Sequence, residues 1–294
     1  MFLFQRIEEV MMNYHDARRA VGEFVLHEQD KLHQYTITEV AELTYTSKAT
    51  VVRFAKTLGF DGWKEFMKAY ISEVKYQQAH QGDADVNYPF KEGDHTSRII
   101  DRIKTVQMES IQDTADLMEP EMIDMAIAYL LKANRIVVFG LSPNVFLAEL
   151  FRRKMLTIGR QVDIANPGET GIMARMLGKD DCAIMISYSG NNAESDPLLH
   201  VKTLQEQEVY IIGITSGGDN YIRNHVPCVL TMSSKERLYT KISNFATEES
   251  ISFILNVLFS CYFTKHYQQN CNFKLQSSKE LERKRKSREQ NIQD

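Results

Sequence analysis

The sequence predicts two domains of different class: an all-helical N-terminal domain, then an α/β domain built on a five-stranded parallel sheet flanked by helices on both faces. Three observations predict it. From Phe4 to about Val74 apolar residues recur at helical spacing with short joints and no strand-like run. The second half alternates short, β-branched apolar runs with helical stretches, the rhythm of βαβ units. Between the halves lies QQAHQGDADVNYPFKEGDH, residues 77–95, polar, Gly/Pro-containing and poor in aliphatics, which is a linker composition.

Composition narrows the class. A chain of 294 residues, 43% hydrophobic and 25% charged, can bury a sizeable core and reads as a soluble globular protein. A formal net charge of −4 excludes a generally basic nucleic-acid coat and leaves room for a local basic surface. Cys182, Cys228, Cys261 and Cys271 form no CxxC pair and no metal-like spacing with histidine, so reduced thiols and no metal are expected. The apolar stretch in MFLFQRIEEV is too short for a signal peptide, and no run approaches membrane-spanning length, so a cytoplasmic location is expected.

In the first half, Ala20, Val21, Phe24 and Val25 share one face of a helix near residues 18–27. Further helices are predicted at about 38–44, 47–58 and 62–75. ITEVAELTYTSKATVVRFAKTLGF, residues 37–60, has the pattern of a helix-turn-helix: Val40 and Ala41 on the first helix meet Val51 and Phe54 on the second. Ser47 suits the N-cap of the second helix, and Gly59 its left-handed end. Tyr45 stands where such turns often hold glycine, so a somewhat different turn is expected. Between Leu43 and Phe60 the charged residues are Lys48, Arg53 and Lys56, with no acid among them. Ser47, Lys48, Thr50 and Arg53 are the candidates for base contacts and Lys56 for a phosphate contact; a plain helical bundle with a basic face is the alternative.

SKATVVRFAKTLGFDGWKEF, residues 47–66, resembles the DNA-binding domain of the MurR/RpiR family of bacterial transcriptional regulators. The family's S-x-A-T-V-x-R-F…L-G-F-x-G-[YW] signature is met by Ser47, Ala49, Thr50, Val51, Arg53, Phe54, Leu58, Gly59, Phe60, Gly62 and Trp63. The resemblance implies that Thr50 and Arg53 lie at the DNA surface, with Val51 and Phe54 in the core.

In the second half, RIVVFG (135–140), QVDIA (161–165), CAIMIS (182–187), VYIIGIT (209–215) and PCVLTM (227–232) are the expected strands. Helices are expected near 96–115, 120–132, 145–158, 197–206 and 248–265, and KELERKRKSREQNIQD reads as a solvated tail. Ligands of open parallel sheets collect beyond the carboxyl ends of strands where strand order reverses. Two strand ends have the chemistry: Gly140, Ser142 and Asn144 after the first, and Ser187, Ser189, Gly190, Asn191, Asn192 and Glu194 in ISYSGNNAES. Glycine lets backbone approach a ligand and hydroxyls and amides donate to it, while a following helix N-terminus favours an anion. Ordinary strand-to-helix turns use the same residues.

Residues of about 106–265 resemble the sugar isomerase (SIS) domain, the phosphosugar-binding half of MurR/RpiR regulators. In DDCAIMISYSGNNAE, Asp181, Ser187, Ser189, Gly190 and Glu194 fall on fixed positions of that family. Two departures stand out. Asn192 replaces the usual threonine, and Gly140-Leu141-Ser142-Pro143-Asn144 replaces G-x-G-x-S, so two hydroxyls have become amides. An amide also presents an acceptor oxygen, which repels a phosphate oxygen; a larger or shifted sugar phosphate, or another effector, is expected.

SIS folds also serve enzymes, and Glu194, Glu248, Glu249, His200 and His225 are the candidates for proton transfer, but no pair has a revealing spacing. The sequence therefore assigns no catalytic residue and no cofactor, and predicts a transcriptional regulator. A sugar-phosphate isomerase with a helical appendage, or a non-catalytic docking protein, is the alternative. Expected domains are 1–77, a linker and connecting helix at 78–105, the SIS domain at 106–268 and a polar tail at 269–294. Expected partners are double-stranded operator DNA, a small-molecule effector and a second or further copies of the chain, as homodimer or homotetramer, with no membrane.

Overall fold

The computed structural model describes residues 3–79, 85–233 and 235–282. Five helices build the first domain: α1 (Leu3–Asn13), α2 (Ala17–Glu28), α3 (Ile37–Leu43), α4 (Lys48–Thr57) and α5 (Trp63–Ala79). Their core gathers Ile7, Val21, Val25, Leu32, Val40, Val51, Phe54, Phe66 and Tyr70, all fully buried. Aromatic contacts knit it, with Phe54 edge-on to Phe66 at 5.6 Å and the Tyr70 hydroxyl donating to the Val25 carbonyl at 2.7 Å. The last helix runs to Ala79, past the expected 75, and so takes up the start of the expected linker.

The stretch from 85 onward leads into α6 (Thr96–Asp116) and α7 (Pro120–Lys132). Five strands then alternate with helices: β1 (Ile136–Gly140), α8 (Asn144–Leu156), β2 (Asp163–Ile164), α9 (Thr170–Met176), β3 (Cys182–Ile186), α10 (Val201–Glu206), β4 (Tyr210–Ser216), α11 (Tyr221–His225) and β5 (Cys228–Met232). They form one parallel sheet in the order β2-β1-β3-β4-β5. Alternate strand residues feed two cores, as a period of two requires. Val138, Ile184, Ile214 and Leu230 pack under α7, α8 and α12 (Phe245–Lys265), whereas Phe139, Met185 and Ile211 pack under α9, α10 and α11.

Three differences from the sequence-based expectation have physical reasons. β2 spans two residues because Asn166-Pro167-Gly168 ends it at the sheet edge, although Ala165 still donates to the Val138 carbonyl. α12 starts at Phe245, three residues early, because the buried Glu236 carboxylate accepts from the Ala246 amide and the Thr247 hydroxyl, each at 2.5 Å, and so caps its first turn. Much of the expected polar tail forms α13 (Tyr267–Glu282): Asn270 Nδ2 donates to the Phe263 carbonyl at 2.9 Å across the α12–α13 joint, and the Phe273 ring lies against Gly159. The remainder of that tail, 283–294, falls outside the described residues.

Candidate DNA-binding and effector sites

The helix-turn-helix is built from local hydrogen bonds. Thr36 and Glu39 form a reciprocal capping box at the start of α3, with the Glu39 carboxylate taking the Thr36 amide at 2.7 Å and the Thr36 hydroxyl taking the Glu39 amide at 3.3 Å. These bonds hold the Glu39 carboxyl below the usual range. Ser47 Oγ accepts from the Thr50 amide at 3.2 Å and caps α4, as its position predicts. Gly59 ends that helix with φ +85°. The turn itself differs from expectation: Tyr45 keeps the left-handed conformation, φ +52°, and leaves its side chain 98% exposed. The Thr44 hydroxyl, bonded to the Val40 carbonyl at 2.7 Å, holds the turn beneath it.

On α4, Val51, Phe54 and Ala55 face the core while Ser47, Lys48, Arg53 and Lys56 are exposed together. Thr50 is the exception among the predicted contacts. It is 7% exposed, with Oγ1 within 3.0 Å of Ser47 Oγ and accepting from Arg53 Nη2 at 3.4 Å. It thereby positions Arg53 from below, and the guanidinium is the group presented outward.

In the second domain, β1 continues to β2 on one side while β3 lies on the other, so the sheet order reverses between β1 and β3. Gly140 pairs with Ile186 at the last rung, which brings the two predicted loops out side by side. At the opposite end of these strands Asp181 takes the Arg135 amide at 3.0 Å, the Gly178 amide at 2.9 Å and Arg135 Nη2 at 2.7 Å. Burial opposes ionisation of Asp181, but these donors outweigh it and hold the carboxyl below the usual range. Asp181 thus fastens β1 to β3 and stands away from the loops.

Within the β3 loop, Ser187 Oγ accepts from the Gly190 amide at 3.3 Å. Gly190, φ +68°, has no room for a side chain: a Cβ there would lie 2.4 Å from Thr215 Oγ1 and 2.8 Å from Asn220 Cγ. Asn191 Oδ1 accepts from the Tyr221 amide at 3.1 Å. Asn192 is exposed and caps its own loop through the Glu194 amide at 3.3 Å; Glu194 is exposed as well. The first loop is more open, with Ser142 exposed and Asn144 beginning α8 beside Gly140. The expected helix N-terminus behind the β3 loop is displaced. Pro197 and a 3₁₀ turn at Leu198–His200 intervene before α10, so the loop's own groups and side chains line the site.

The proton-transfer candidates are dispersed. His200 Nε2 pairs with Asp196 at 2.8 Å, His225 stacks on Tyr221, Glu249 accepts from Gln107 at 2.9 Å, and burial raises the Glu248 pKa. Among the described residues no cluster of His, Cys, Asp and Glu could hold a metal ion, and no helix is long and apolar enough to cross a membrane.

Sequence reasoning missed one contributor altogether. The Glu9 carboxylate of α1 accepts hydrogen bonds from Ser189 and Asn191, and burial raises its pKa against those bonds. Beside it, Gln5 Nε2 donates to the Tyr188 hydroxyl at 2.7 Å and the Glu236 carbonyl at 2.8 Å. The Glu8 carboxylate takes the amides of Leu238, Tyr239 and Thr240 at 2.5, 3.4 and 3.3 Å. The available signal was the polar stripe 5, 8, 9 opposite apolar 3, 4, 7, 10, a pattern that ordinarily marks a solvent face.

An exposed, capped recognition helix joined to a parallel-sheet domain with loops at its reversal point defines a helix-turn-helix regulator with a ligand-type second domain. Two family matches agree: the helix-turn-helix domain of the rpiR family over residues 1–76 and the SIS domain over residues 129–254. The chain belongs to the RpiR-type regulators that carry a SIS domain. It is 26% identical over 263 residues to an HTH-type transcriptional regulator of Bacillus subtilis, YbbH, covering 87% of this chain and 89% of that one. To the HTH-type transcriptional regulator HexR of Pseudomonas aeruginosa it is 25% identical, covering 77% of this chain and 78% of that one. The fold matches that of the Vibrio vulnificus NanR protein complexed with ManNAc-6P, with a TM-score of 0.59 at 19% identity over 95% of this chain and 97% of that one.

Proposed function

We propose that this protein is a cytoplasmic transcriptional regulator that binds a pseudo-palindromic operator as a homodimer or homotetramer and changes its operator affinity when a phosphosugar occupies the SIS domain. The observation that carries it is the exposed face of α4, where Lys48, Arg53 and Lys56 stand together with no acid between Leu43 and Phe60. One helix-turn-helix reads a half-site, hence the expectation of two-fold symmetry. Gly140, Ser142, Asn144, Ser187, Ser189, Asn191 and Asn192 supply the effector's contacts. The paired loops at the sheet reversal support a phosphorylated sugar, as does the ManNAc-6P complexed with the similarly folded NanR protein. DNA binding is assigned to 1–77 and effector binding to 106–268, with 78–105 connecting them.

The test selects duplexes from a random pool at fixed salt, then titrates the selected operator with a phosphosugar panel and the matching free sugars. Arg53→Ala is expected to weaken operator binding by about 5- to 150-fold, the worth of about 1–3 kcal/mol for a base contact, with unchanged melting. Undiminished affinity overturns the DNA reading. Equal response to phosphorylated and free sugars overturns the phosphate reading.

A further inference from the structure

The helix α1 has two working faces. Leu3, Phe4, Ile7 and Val10 are buried in the core of the first domain, so α1 cannot leave that domain without dismantling it. Gln5, Glu8 and Glu9 sit one turn apart on the other face and bond to the second domain. Glu8, 2% exposed, lies in a nest of three consecutive backbone amides. Glu9 occupies the donors of Ser189 and Asn191, which belong to the loop proposed as the anion site. The geometry points to Glu9 as a built-in anionic ligand of the β3 loop, which an incoming phosphate group must displace, so that filling the effector site unlatches α1 and the helix-turn-helix domain with it.

The chemistry of the loop explains why both anions cannot stay. A phosphate needs the hydroxyl and amide donors that the carboxylate already holds, and two anions sharing donors in a part-buried site repel each other. The coupling path is one residue long. Tyr188 lies between Ser187 and Ser189, and its hydroxyl accepts from Gln5 while donating to the Glu236 carbonyl at 2.5 Å. A group seated on both serines therefore bears on the residue that holds α1. The receiving segment is also gripped from the connecting stretch, because Asn87 Oδ1 accepts from the Arg237 amide at 2.7 Å and its carbonyl from the Ile242 amide at 2.9 Å. Effector occupancy and domain position are thereby linked reciprocally.

This inference rests on the loop being an anion site, and the experiment separates the two. Full-length wild type, Glu9→Gln and Ser189→Ala are titrated calorimetrically with inorganic phosphate and with glucose 6-phosphate, and hydrogen exchange is followed over residues 3–13. Expected are about tenfold tighter phosphate binding by Glu9→Gln, weaker binding by Ser189→Ala, and faster exchange of α1 in wild type on adding phosphate. Glu9→Gln is expected to show that faster exchange with no ligand added. Phosphate binding that Ser189→Ala weakens but Glu9→Gln leaves unchanged or weaker overturns the latch and keeps the anion site. Failure of all three proteins to bind phosphate overturns the anion site and the latch together.

Discussion

The two sites of this chain are made in opposite ways. The α3–α4 corner is satisfied from within: Thr36 with Glu39, Thr44 with Val40, and Ser47 with Thr50 are bonds between residues three or four apart. Its cations, Lys48, Arg53 and Lys56, are exposed on one face, where they can meet a phosphate backbone. The β3 loop has short-range bonds of its own, Ser187 with Gly190 and Asn192 with Glu194, but is also held from afar, by Tyr221 on Asn191, Thr215 and Asn220 beneath Gly190, and Glu9 from the other domain. A locally coded site can be presented ready-made, whereas a site assembled from distant elements can be altered by moving any of them. DNA recognition suits the first design and effector control the second.

The strongest way to break this contrast is to disturb the distant packing under the loop. Gly190→Ala places a Cβ 2.4 Å from Thr215 Oγ1 on a residue at φ +68°. Thr215 is fully buried and bonded to Asn220 Nδ2 at 3.3 Å, so it cannot swing aside freely. Overpacking and left-handed strain together are expected to cost about 3 kcal/mol. Denaturant unfolding followed in both domains should show the loss in the second domain, with effector binding abolished. Retention of wild-type stability would mean that the loop rests on its own turn chemistry instead.

Legibility in the sequence follows the same division. Much of the helix-turn-helix that depends on near neighbours is readable, namely the Ser47 cap, the Gly59 stop and the buried Val40, Ala41, Val51 and Phe54, whereas the equally local Thr36–Glu39 capping box and the left-handed Tyr45 are not. Four of the five strands fall within a residue of their apolar runs, most plainly β1 and β3, which are buried along their whole length and so carry no polar side chain. Short or polar elements escaped. α11 has too few residues to show a period, and α13 is held by the contacts of Asn270 and Phe273 with distant backbone. Thr50 was misplaced for a related reason, since a hydroxyl on a helix gives no sign whether it meets solvent or the side chain one turn away. Glu9 lies about 180 residues from the loop it occupies, and no local pattern can announce that meeting.

A smaller effect sharpens the local half of the comparison. Ser47→Ala removes the acceptor of the Thr50 amide and the partner of Thr50 Oγ1 at 3.0 Å. A lost N-cap is expected to cost about 1 kcal/mol of first-domain stability. Operator affinity should fall further than stability does, because Arg53 rests on Thr50 through the same cluster. Thermal melts and anisotropy titrations on one preparation separate the two; affinity falling only in proportion to stability would remove Thr50 from the positioning of Arg53.

The smallest expected effect has the opposite sign. Tyr45 occupies a left-handed conformation with its ring almost wholly in solvent, so the turn bears the backbone strain without packing to offset it. Relief of that strain by Tyr45→Gly is worth about 1 kcal/mol, and the greater freedom of glycine in the unfolded chain takes back part of it. Net stabilisation of the first domain by roughly 0.5 kcal/mol is expected in denaturant unfolding. If stability rises while operator affinity falls, the exposed ring beside the N-terminus of α4 is part of the DNA-facing surface, and its retention at a position suited to glycine is explained by contact with DNA. If stability rises and affinity is unchanged, Tyr45 is a turn residue that the α3–α4 corner tolerates because the bonds of Thr44 and Ser47 on either side already fix its path.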